Sequence, residues 1–185
     1  MKPRILLACL LLGACAAPAP EIARTPAPAP PLLGREAARI MPGARPATID
    51  YLIVDKSERL MVAYAGGQPV RAWRGLQFGD QPQGHKRFEG DERTPEGRYT
   101  IEGRNPQSAY HLSLKVSYPN AEDRAFARSH GRSPGGNIFL HGQPNGWPAG
   151  RVPGDWTDGC IALANAEIEE LWRLVPDGTV IEIRP

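Results

Sequence analysis

Three cysteines in 185 residues are too few for a disulfide framework. Two of them, Cys9 and Cys15, fall within the first fifteen residues, and Cys160 stands alone far from both. Neither CxxC nor HxxxH occurs. A zinc site would need three or four ligands at such spacings, so no metal is expected. The apolar run at residues 5–12 has eight members, well short of the roughly 20 that span a bilayer. No repeat recurs at solenoid periods. Excess charge is also lacking. The formal net charge of +2 is accounted for by Lys2 and Arg4, and the remainder balances. Without a basic run, nucleic acid is excluded as an expected partner.

The N-terminus carries more information. MKPRILLACLLLGAC has a short positive start followed by the apolar run, which reads as a secretory signal. Its end, Leu12-Gly13-Ala14-Cys15, resembles a bacterial lipobox, where cleavage precedes a cysteine that then carries lipid. An ordinary cut at Ala14 or Ala17 is the alternative. Acyl chains on Cys15 would hold the chain at a membrane surface. The expected location is the periplasm, lipid-anchored. Ala16 supplies no obvious inner-membrane retention signal, so the outer membrane is preferred. Residues 16–45 are rich in Ala-Pro and read as an extended tether, with a short helical turn near 34–41. Residues 46–185 are enough for one domain with its own core.

Within that domain, segments 48–55, 59–65, 68–74, 98–103, 110–116, 137–141 and 178–184 read as strands. Gly66-Gly67 marks a hairpin. Segments 121–130 and 165–175 read as helices. In the second, Ile168, Leu171, Trp172 and Val175 share one face, and Asn165 is the expected N-cap. Short strands, frequent turns and few helices predict a mostly-β sandwich or barrel-like domain with two or more short helices.

An exported protein usually pairs its cysteines. With Cys9 removed and Cys15 lipidated, Cys160 is unpaired, which suggests a reactive thiol, an intermolecular bond or a small buried hydrophobe. His141 ends the apolar strand NIFLH, fifteen residues separate it from Thr157, and Cys160 follows three later. Between them lies a Pro- and Gly-rich loop able to fold over a pocket. A thiol and an imidazole are what acyl transfer needs: the ring takes the proton and the sulfur attacks a carbonyl. Gly159 allows close backbone approach, so amides near Cys160 can meet an oxyanion.

His141-Gly142, the gap of fifteen and Thr157-Asp158-Gly159-Cys160-Ile161 resemble the motif of the L,D-transpeptidase catalytic domain family, also called the YkuD domain. Gly84-His85-Lys86, Glu89-Gly90-Asp91, Arg93-Thr94-Pro95-Glu96-Gly97 and Ser117-Tyr118-Pro119-Asn120 are similar to its YafK-like branch. The resemblance covers 48–184. It implies Cys160 as nucleophile, His141 as general base and the Gly142 carbonyl as orienter, with Gly159 in the oxyanion region. The implied substrate is a peptidoglycan tetrapeptide stem, whose terminal D-Ala is expelled as a thioester forms. An amine, from another stem or a protein lysine, would then accept the acyl group. No cofactor is implied.

Two positions depart from the family pattern. Asp158 stands where a second His is common, and Ala162 replaces an Arg frequent two residues after the Cys. Lys86, Arg87 and Arg93 are candidates for the missing positive charge, and His85, Thr157 and Asp158 for further substrate contacts. Trp147 and Trp156 flank the loop, as packing residues, a lid or a glycan contact. Three functions follow: a transpeptidase; a hydrolase on the same scaffold, either an L,D-carboxypeptidase or an amidase releasing wall-bound lipoprotein; or a non-catalytic wall-binding lipoprotein. The expected partners are stem peptides, a wall-attached lipoprotein and the membrane through the N-terminal lipid.

Overall fold

Eight strands and three helices make up the computed structural model, which describes residues 33–38, 40 and 48–185. The chain divides after Pro30, and every described residue belongs to the second unit. The signal reading, Cys15 and most of the tether lie outside the described residues. The elements are α1 (Leu33–Ala37), β1 (Tyr51–Asp55), β2 (Leu60–Ala65), β3 (Gln68–Arg74), β4 (Gly97–Asn105) and β5 (Ser113–Val116), then α2 (Ala121–Ser129), β6 (Phe139–His141), β7 (Ile161–Ala162), α3 (Asn165–Leu174) and β8 (Val180–Arg184).

The strands form one curled, mixed sheet in the order β3-β2-β1-β8-β4-β5-β6-β7. Only β1–β8 and β6–β7 pair in parallel. Gly66 and Gly67 take φ of 57° and 77°, the positive values that a tight two-residue hairpin between β2 and β3 requires. In β1 and β2 the period-2 alternation sends Leu52, Val54, Met61 and Ala63 into the main core. The other face is buried too. Ile53, Leu60, Val62 and Tyr64 pack under Leu33 of α1, and the Tyr64 hydroxyl donates to Glu36. Burying Leu33 contributes about 2 kcal/mol. The helical turn expected near 34–41 is therefore a cap on the outer sheet face.

The two sheet edges nearly meet. β3 lies at one end of the order and β7 at the other, yet residues just beyond β3 bridge to the β7 region. Gln77 and Ala162 exchange both backbone hydrogen bonds, at 3.0 and 2.8 Å, and Thr157 N–H donates to Phe78 O at 3.0 Å. A Cβ on Gly79 would lie 2.0 Å from Glu92 O, so only glycine permits this approach. The barrel-like expectation is met by this near-closure.

β7 was not expected, because two residues carry no pattern. Ile168 and Leu171 of α3 and its C-cap Val175 are buried as expected, while Trp172 is half-buried beneath Arg104. Asn165 is the first helical residue and not the N-cap. Its Oδ1 instead accepts from Gln143 N–H at 2.8 Å, and Glu167 receives the Ala164 N–H.

Candidate active site

The register of β6 against β7 brings the two sequence candidates to one face. Leu140 pairs with Ile161, and His141 with Ala162. Leu140 and Ile161 both point into the core. Their neighbours therefore point the other way, and Cys160 stands two positions before the partner of His141. Successive odd or even positions share a face, so His141 and Cys160 both line a cavity of about 580 Å³. Ser113, opposite His141 in β5, lines it as well.

His141 is 3 % exposed. Its Nδ1 lies 2.7 Å from Gly142 O. A carbonyl can only accept, so Nδ1 carries the proton and Nε2 keeps its lone pair. Burial holds the imidazole pKa below its ordinary value, against the opposing pull of the Gly142 carbonyl. Tyr110 lies over the ring at 4.7 Å and Trp156 meets it edge-on at 5.5 Å. Each such pair contributes about 0.5–1.5 kcal/mol to orientation. A Cβ on Gly142 would come within 2.6 Å of Asn165 Oδ1 and 3.0 Å of Tyr110 O, so glycine is needed there too.

Cys160 is a free, half-buried thiol whose Sγ donates weakly to Asn137 O at 3.4 Å. Burial pushes its pKa up to about 11. A backbone hydrogen bond from Phe139 opposes the rise, Asp158 adds to it and Lys86 opposes it. Both shifts favour a protonated thiol and a neutral imidazole at neutral pH, facing the same cavity. Thr157 holds the turn in place: its hydroxyl donates to Cys160 O at 2.8 Å and accepts Gly159 N–H at 3.2 Å. Gly159 has φ +123°, and a Cβ there would fall 2.4 Å from Arg93 O.

The other predicted residues separate into two groups. Lys86, Thr157 and Asp158 line the cavity. Lys86 is tied to Asp91, at 2.9 Å. His85 and Arg93 are not among the lining residues. His85 accepts the Glu96 N–H at 2.8 Å and meets Asp123 at 2.9 Å, bracing α2 against the 94–97 turn. Arg93 contributes its carbonyl against Gly159, and its Nε is buried without a partner. Trp147 is exposed.

The loop between His141 and Cys160 is pinned. Buried Gln77 donates to the carbonyls of Val152 and Gly154. Buried Gln143 donates to Gln77 and Leu163 O and accepts the Val152 N–H. Asp155 takes both arms of Arg59, at 2.6 Å each, and the Phe78 N–H. These stitches, and Tyr110 above His141, were not anticipated from sequence. Two lone glutamines carry no pattern, and Tyr110 reads as an ordinary strand-start aromatic.

Comparison with known proteins identifies the family and the fold. The family model described as the L,D-transpeptidase catalytic domain, YkuD, matches residues 49–183. Similar curated proteins include YafK of Escherichia coli (strain K12), 30% identical over 99 residues that cover 52% of this chain and 34% of that one. The match thus spans about a third of the curated relative's length. Among solved structures, the helical cell shape determining protein Pgp2 of Campylobacter jejuni superposes with a TM-score of 0.57 at 26% identity, covering 74% of this chain and 50% of that chain. Bd1075 of Bdellovibrio bacteriovorus gives 0.52 at 26%, covering 74% and 48%.

Proposed function

Because the chain belongs to the L,D-transpeptidase catalytic domain family, we propose that it acts on peptidoglycan stem peptides through a covalent thioester on Cys160. The observation that supports this most is that the Cys160 thiol and the His141 imidazole, whose Nδ1 is engaged by Gly142 O, line one cavity. In this reading Nε2 of His141 takes the Cys160 proton as Sγ attacks the carbonyl between the diamino acid and terminal D-Ala of a tetrapeptide. Backbone amides of the Gly159–Cys160 turn meet the oxyanion, and Thr157 keeps that turn in shape. The tetrahedral adduct collapses as His141 returns the proton to the departing D-Ala amine, leaving the thioester. An amine from a second stem or a protein lysine then attacks, giving a 3-3 cross-link or a wall-attached protein. Gly142 O holds the ring in the productive tautomer throughout.

The chain is further proposed to work in the periplasm, held at the outer membrane by lipid on Cys15. Incubating it with disaccharide-tetrapeptides, and then with sacculi carrying bound lipoprotein, tests the reaction by mass spectrometry. Cross-linked dimers that vanish with Cys160→Ala are the expected result. Cys160-dependent tripeptides or released lipoprotein, without dimers, would make it a hydrolase. Products unaffected by Cys160→Ala would remove the thiol mechanism.

A further inference from the structure

A ladder of ring and cation–ring contacts starts beside Glu89, which lines the cavity. Arg132 lies over Phe88 at 3.9 Å. Phe88 meets Phe126 at 5.9 Å and His130 at 5.7 Å, and those two rings are 4.3 Å apart. Arg87 closes the far end over Phe126 at 4.4 Å. Both arginines are exposed. Among the described residues, neither guanidinium meets a carboxylate or donates a hydrogen bond. Stacking occupies only the face of each group. A ring contact leaves the N–H donors of a guanidinium available, and such a fork matches a carboxylate bidentately.

The ladder and the cavity share their backbone. Asp91 accepts the N–H groups of Arg87 and Phe88, at 2.7 and 3.0 Å, as well as the Lys86 ammonium that faces the cavity. Glu89, next to Phe88, lines the cavity and donates its N–H to Ser133 O at 2.9 Å, clasping the segment that follows Arg132. Carboxylates already present (Glu89, Glu92 and Asp158) line the cavity itself, so added negative charge gains most on the shoulder.

We propose that Arg87 and Arg132 dock the free carboxylates of an acidic peptide ligand, outside its reacting bond. The proposal rests on the wall-peptide reading above and deepens it. It is tested with the full chain carrying Cys160→Ala, which shows binding without turnover. The probes are a disaccharide-tetrapeptide with free stem carboxylates and the same compound with them amidated. The parent is expected to prefer the free acid, and Arg87→Gln with Arg132→Gln to weaken that ligand about tenfold or more, as loss of charge-assisted hydrogen bonds does. The amidated ligand should bind both proteins alike, with unchanged thermal midpoints confirming the fold. Equal affinity of both proteins for the free acid, or no binding by the parent, overturns the proposal. So does Arg-dependent binding to phosphatidylglycerol vesicles with peptide affinity unchanged, which would make the shoulder a membrane contact. Arg-dependent peptide binding in a chain whose Cys160-intact form turns nothing over would sink the reaction and leave the docking site standing.

Discussion

Cys160 should be a slow nucleophile at neutral pH until a substrate arrives. Burial raises its pKa from about 9 to about 11. At pH 7 that leaves about one thiol in ten thousand ionised, some hundredfold fewer than for the unburied group. The more basic thiolate is intrinsically more reactive. With a Brønsted coefficient of about 0.4–0.5, it recovers roughly six- to tenfold. Alkylation by iodoacetamide should therefore run about ten- to fifteenfold slower than that of a free peptide cysteine, and rise about tenfold per pH unit from 7 to 10. The rate is read by mass spectrometry of the peptide that carries Cys160. Because the resting imidazole is neutral and not the partner of a preformed thiolate, His141→Gln should change this labelling by less than about threefold at pH 7, while turnover collapses by about 10²–10⁴. A labelling rate independent of pH between 5 and 8 would refute the argument. It would mean a thiolate–imidazolium pair already exists at rest.

Gly159→Ala should cost at least about 3 kcal/mol in denaturant unfolding and abolish turnover, since the new Cβ meets Arg93 O at a backbone angle that disfavours any side chain; a wild-type midpoint would contradict this. Tyr110→Ala should lower kcat about three- to tenfold by freeing the His141 ring, whereas Tyr110→Phe keeps the stack and the rate. Equal losses in both variants would point to the hydroxyl instead. Stability should fall with acid in two steps, followed by thermal midpoint against pH. The folded pKa of His141 lies below its unfolded value, so the first loss begins as pH drops under about 6.5 and disappears with His141→Gln. Asp123 is buried and Asp91 and Asp155 are half-buried; desolvation pushes their pKa values up, yet their hydrogen bonds hold them below the ordinary value. Their contribution is complete above about 4 and is lost as pH falls through the folded values. Asp123→Asn should shrink that second step.

Strands β1 to β6 and β8 were legible because each carries several residues of alternating or continuous apolar character. Their ends were not, since pairing partners set them. The 110–116 stretch shortened to Ser113–Val116 because Tyr110 and His111 belong to a turn, where His111 takes φ +68°. The short strand β7 and the bridge from Gln77 to Ala162 are products of sheet curling, a tertiary fact with no local signal. That His141 and Cys160 would share one cavity was legible from residue chemistry and spacing. The groups that tune them were not. Burial of the thiol, the placement of Tyr110 over His141 and the glutamine stitches all join residues far apart in the chain, whereas Trp156 packs beside the loop as its position suggested. His85 shows the opposite case. Its place in the Gly84-His85-Lys86 motif suggested the cavity, but a carboxylate on α2 and the Glu96 amide claim both ring nitrogens.

The central claim is a covalent acyl group on Cys160. Rapid quenching of the chain with excess disaccharide-tetrapeptide, followed by intact-mass and peptide mapping, tests it directly. The expected result is an added mass equal to the ligand less D-Ala, carried by the peptide that contains Cys160, labile to hydroxylamine and missing in Cys160→Ala. Product formation with no such adduct at any quench time, and with full activity in Cys160→Ala, would contradict it.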